Sequence, residues 1–182
     1  MTAAPGIPSN DPFALLGLPA RFSLPAADVQ RVYLEKVRAL GGADDEPRAA
    51  ALNTAKSRLM DPEQRALALL ARIQPAPAAG APPDSAADRA LPEGFLMTMM
   101  ETREQLDAAQ QAGDRAAIDA WLTWAESQRA GHMSAVAELL SRCTFDPPTP
   151  ASPITLRILR TELNAWRYIE RMIAQIADQD TA

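Results

Sequence analysis

Apolar residues recur along this chain at three- and four-residue intervals, with no sustained alternation of β-branched and polar residues, so the pattern predicts helices and almost no strand. Asn10 and Asp11 stand before Pro12, and Gly17 follows. A short polar cap, a proline in the first turn and a glycine that accepts positive φ delimit a short helix. Phe13 and Leu16 share its inner face. A second helix begins near Pro25, carries Val29, Val32, Tyr33, Val37 and Leu40 as a stripe, and stops at Gly41-Gly42. A third runs from about Glu46 to Leu59 with Leu52, Ala55 and Leu59 on one side. Asp61-Pro62 starts a fourth, with Ala66, Leu69, Leu70 and Ile73 turned inward.

The pattern then breaks. Residues 75–92 read PAPAAGAPPDSAADRALP, with five prolines; proline removes hydrogen-bond donors and holds the chain extended, so this stretch is expected to be a linker. Three longer helical patterns follow. Phe95, Leu96, Met99, Met100 and Leu106 lie on the first, which Gly113 ends. Asp114 caps the second, lined by Ile118, Trp121, Leu122, Ala125, Val136, Leu139 and Leu140. A proline-rich turn, Phe145 to Pro153, leads to the third, lined by Leu156, Leu159, Leu163, Trp166, Ile169, Ile173 and Ile176. Long helices joined by short turns predict an antiparallel three-helix bundle. The chain is therefore expected to be all-α.

Composition narrows the chemistry. The net charge is −5, no lysine follows Lys56, and the arginines are scattered among acids; nucleic-acid binding, which needs clustered cations, is not expected. No apolar run approaches the roughly 20 residues that span a bilayer, and Met1 to Asn10 lacks the layout of a secretory signal. The expectation is a cytoplasmic protein without membrane contact. One cysteine and one histidine are too few for a structural zinc site, a cysteine-held iron–sulfur cluster or an internal disulfide. Cys143 and His132, eleven positions apart, are read as a packed thiol and a solvated imidazole rather than a nucleophile–base pair. No phosphate loop, paired metal carboxylates or nucleophile elbow is present. No catalytic residue, metal ligand or cofactor is expected, and the chain is not read as an enzyme.

The order of motifs resembles the HscB family, the J-domain co-chaperones of iron–sulfur cluster assembly. DPFALLGLP at 11–19 looks like the family's first J-domain helix and turn, and 29–40 like its second, with Tyr33 at the place of a core aromatic. LNTAKSRLMDPEQRA at 52–66 is similar to the third helix and the start of the fourth, through Asn53, Ala55, Leu59, Asp61, Pro62 and Arg65. FLMTMMETREQLD at 95–107 and AWRYIERM at 165–172 resemble the first and last helices of the family's C-terminal bundle. The resemblance implies a flexible N-terminus at 1–10, a J-like domain at 11–74, a linker at 75–92 and a three-helix bundle at 93–178. One feature departs from it. J domains carry His-Pro-Asp after the second helix, where this chain has Gly41-Gly42-Ala43, without imidazole, matching carboxylate or rigid φ.

Two surfaces follow from the resemblance. The second J-domain helix of the family presents a basic face to a seventy-kilodalton heat-shock chaperone of the DnaK or HscA class, and the matching residues here are Arg31, Lys36 and Arg38. Helical spacing puts Arg31 and Arg38 on one face and Lys36 aside. The family bundle grips an iron–sulfur scaffold protein, and the matching residues are Leu96, Met97, Met100, Glu101, Arg103, Glu104 and Tyr168. The helix geometry makes its own statement here. Apolar residues at 95, 96, 97, 99 and 100 cover more than half the helix circumference, so either some face away from the core or the linker folds back to bury them. Trp121 and Trp166 fall on inner stripes; Trp124 lies at a stripe edge, with core packing the preferred reading.

Overall fold

A computed structural model describes residues 10–40, 45–74 and 89–179, with side chains to residue 177. Residues 1–9, Gly41-Gly42-Ala43 and most of the 75–92 stretch expected to be a linker lie outside the described residues. Among those described there are seven helices and no strand: α1 (Pro12–Leu16), α2 (Ala26–Arg38), α3 (Glu46–Met60), α4 (Pro62–Ile73), α5 (Phe95–Ala112), α6 (Arg115–Ser141) and α7 (Pro153–Gln179). The all-α expectation holds.

Local chemistry sets the helix ends. The Asp11 carboxylate accepts from the Phe13 amide at 3.0 Å, and Gly17 closes α1 at φ 70°. A residue with a Cβ in that left-handed conformation costs about 1–2 kcal/mol. Asp61 caps α4 through the Gln64 amide, Asp114 caps α6 through the Ala117 amide, and Ser152 caps α7 through the Thr155 amide. Each cap satisfies an amide the first turn leaves open.

The chain gathers into two compact units: Met1–Ala81 with Ala137–Leu156, and Pro82–Val136 with Arg157–Ala182. In the first, α3 packs against α1, α2 and α4, burying Phe13, Leu16, Val29, Leu52, Ala55, Leu59, Leu69 and Ile73. The expected boundaries, 11–74 and 93–178, assume a cut at one stretch of sequence. The contacts do not divide that way, because the end of α6, the turn after it and the start of α7 group with the first unit. Polar bonds explain this. Arg72 of α4 is buried, with Nη1 3.1 Å from Asp11 Oδ2 and Nη2 2.9 Å from Asp146 Oδ1 in the α6–α7 turn. The Asp11 contact is an ion pair without an aligned hydrogen bond, and Arg72 Nε has no hydrogen-bond partner. The Ala151 amide donates to the Ile73 carbonyl at 3.0 Å. Arg65, also buried, donates to the carbonyls of Leu59 and Phe22, both at 2.8 Å; desolvation lowers its pKa.

In the second unit, α5, α6 as far as Val136 and α7 from Arg157 share a core of Phe95, Met99, Leu106, Ile118, Trp121, Ala125, Ala165, Ile169, Met172 and Ile176. His132 pairs with Glu162 while Arg129 pairs with Glu170. Pairing positions that rise on α7 as they fall on α6 means that the two helices run antiparallel. Leu91, at the end of the expected linker, packs against this core.

Candidate partner-binding surface

The surface on α5 begins with its first turn. Gly94 occupies the cap position at φ 74° and offers no side-chain hydrogen bond. The Phe95 amide donates to the Pro92 carbonyl and the Thr98 amide to that of Gly94. From this start the helix separates its apolar residues into two sets. Phe95 and Met99 are 9% and 2% exposed, and Leu106 is buried with them. Leu96, Met97 and Met100 are 55%, 69% and 66% exposed. At about 100° per residue, the exposed three share a face with Arg103 and Glu104, and Glu101 stands at its edge. Glu101, Arg103 and Glu104 are themselves exposed. Such a cluster, apolar in the middle and charged at the margin, has the composition that contact surfaces present. Methionine suits it because an unbranched thioether chain adapts its shape.

Tyr168 of α7 is half-buried, its ring edge-on to Phe95 with centroids 5.5 Å apart. His132 of α6 meets Phe95 in the same manner at 5.9 Å. The sequence offered His132 as a solvated imidazole. It is instead part-buried, with Nδ1 2.7 Å from Glu162 Oε2, because the facing helix supplies a carboxylate at that level. Nδ1–H donates and the carboxylate accepts. Trp121 is buried with its indole N–H unpartnered, and Trp124 is half-buried against it at 6.1 Å. Trp166 is buried and donates to Glu170 at 3.0 Å.

The surface on α2 is organised differently. Arg31 lies between Asp28 at 3.3 Å and Glu35 at 3.2 Å on its own helix. Hydrogen bonds to Asp28, then Glu35, raise its pKa and tie up its charge locally. Lys36 is half-buried on the other side, its Nζ 3.8 Å from where a Cβ on Gly17 would lie. Arg38 is exposed in the last turn. The three cations therefore do not form one patch.

Cys143 is half-buried, with Sγ 3.4 Å from the Leu139 carbonyl, and burial pushes its thiol pKa up. A thiol held protonated is a poor nucleophile. Among the described residues no group of three or more His, Cys, Asp or Glu is arranged to hold a metal ion. No helix among them is long and apolar enough to cross a membrane.

Residues 91–177 match the family described as the HSCB C-terminal oligomerisation domain, the span that holds α5, α6 and α7 as far as residue 177. That match spans just under half of the chain, which is similar to the HscB family. A co-chaperone protein HscB homolog from Bordetella parapertussis is 26% identical over 181 residues, covering 93% of this chain and 95% of that protein. The structure of the chaperone HscB from Vibrio cholerae shares the fold with a TM-score of 0.66 at 21% identity, over 93% of this chain and 98% of the other. The relatives it matches along most of its length are named as a co-chaperone and a chaperone.

Two features of the molecule were missed by sequence reasoning. The Arg72 pairs join residues 61 and 74 positions apart; an arginine within an apolar stripe was the one available signal. The Phe95–His132–Glu162 contacts had no signal beyond the rarity of histidine in this chain.

Proposed function

We propose that this chain is a co-chaperone that grips an iron–sulfur scaffold protein through Leu96, Met97, Met100, Glu101, Arg103, Glu104 and Tyr168. Its J-like unit meets a seventy-kilodalton heat-shock chaperone of the DnaK or HscA class through α2, with Arg31, Lys36 and Arg38 as the contact residues. It works in the cytoplasm and needs no cofactor. One observation carries the reading: a helix that buries Phe95, Met99 and Leu106 also leaves three large apolar side chains in water. The charged margin supplies orientation and the apolar centre supplies most of the affinity.

Isothermal titration of the purified scaffold protein tests this. Leu96→Ala with Met100→Ala is expected to weaken binding by about 2 kcal/mol or more, the scale of hot-spot residues; undiminished binding sinks the assignment. Chaperone ATP turnover is expected to rise only weakly on addition of the chain, because Gly41-Gly42-Ala43 stands where the family carries His-Pro-Asp. That same departure favours a second reading, a helical interaction module that has left iron–sulfur assembly. Recovery of unrelated proteins without the scaffold would select it.

A further inference from the structure

The outward set on α5 raises a mechanical question. Apolar residues stand at 95, 96, 97, 99 and 100, so turning the first two turns of the helix by one residue, about 100°, would still bury apolar side chains. Leu96 and Met100 would enter and Phe95 and Met99 would leave. Burial alone discriminates weakly between the two settings at this end of the helix. The cap does not discriminate either, because Gly94 supplies no side chain to fix the first turn, and uncapped first turns fray.

What distinguishes the settings is a set of bonds from the other two helices. Phe95 lies against His132 from α6 at 5.9 Å and Tyr168 from α7 at 5.5 Å, both edge-on. Such contacts depend on ring orientation in a way that plain burial does not. His132 is held in turn by Glu162 at 2.7 Å, a bond that joins α6 to α7. Just upstream, Asn164 of α7 donates to the Ala90 carbonyl at 3.0 Å and holds the chain leading to α5.

We propose that His132, held by Glu162 and set against Phe95, is a positioning residue that fixes the rotation of α5 and so keeps Leu96, Met97 and Met100 on the outside. This rests on the scaffold-binding reading above. His132 touches no partner; it acts through Phe95 on the residues that do.

The test is a double-mutant cycle on scaffold affinity with His132→Ala and Leu96→Ala in the full chain, run alongside amide hydrogen exchange. His132→Ala is expected to weaken binding about fivefold or more in the parent chain and much less in the Leu96→Ala background, since coupled residues are not additive. Exchange at 96–101 is expected to quicken while protection in α3 stays as it was. Unchanged affinity of His132→Ala overturns the proposal, as do additive effects on binding. The same cycle with Glu162→Ala, approached from the other side of the bond, decides the matter if His132→Ala loses protection throughout. Absence of binding by the parent chain instead removes the scaffold reading. Quickened exchange at 96–101 alone in His132→Ala would then still support the positioning role, and unaltered exchange there would refute it.

Discussion

Two regions of this molecule invert the usual sorting of residues, in opposite senses. At the base of the first unit, charged side chains are inside: Asp11, Arg65 and Arg72 are buried. Along α5, large apolar side chains are outside: Leu96, Met97 and Met100. The inside charges have partners in the chain. Arg72 meets Asp11 and Asp146, and Arg65 meets the carbonyls of Leu59 and Phe22. The outside apolar residues have no comparable covering among the described residues. A departure from sorting that is answered within the molecule speaks of folding, and one that is left unanswered speaks of a partner.

The comparison yields measurable contrasts. Removing an inside charge should be costly. Arg72→Met leaves Asp11 buried without its cation, so chemical denaturation is expected to find a loss of about 3–5 kcal/mol. A loss below 1 kcal/mol would mean that the pair is structurally idle. Removing the outside apolar residues should barely register in the same assay. Met97→Ser with Met100→Ser is expected to change stability by no more than about 0.5 kcal/mol, and a large loss would show that these side chains serve the core after all. The smallest effect concerns Cys143, whose burial raises its pKa. The native thiol keeps its proton at pH values where the unfolded thiol has lost it. Alkylation by iodoacetamide should therefore set in at higher pH for the native chain than in urea. The linked contribution to stability is complete below the unfolded pKa and is lost as pH rises through the folded one. Coincident alkylation profiles would contradict this.

Much of the inside was legible beforehand. The stripe Leu52, Ala55 and Leu59 is buried as its spacing predicts, and Asp11, Asp61 and Asp114 cap the helices they precede. These features depend on neighbours a few positions away. The burial of Arg72 depends on Asp146, 74 positions distant, and no local pattern encodes that. On α5 the spacing established that the apolar residues exceed one stripe. It did not establish which would turn outward, because that choice depends on rings and a carboxylate delivered by α6 and α7.

The turn between α6 and α7 carries a practical warning for anyone who trims this protein. A fragment cut at residue 91, where the family match begins, would keep Asp146 and Ala151 but discard Arg72 and Ile73, which hold them. Its α6–α7 turn would keep an acid and an amide without those partners, beside Phe145, which is buried in the whole chain. Clumping of such a piece on the bench would then report a severed anchorage, not a native tendency to associate.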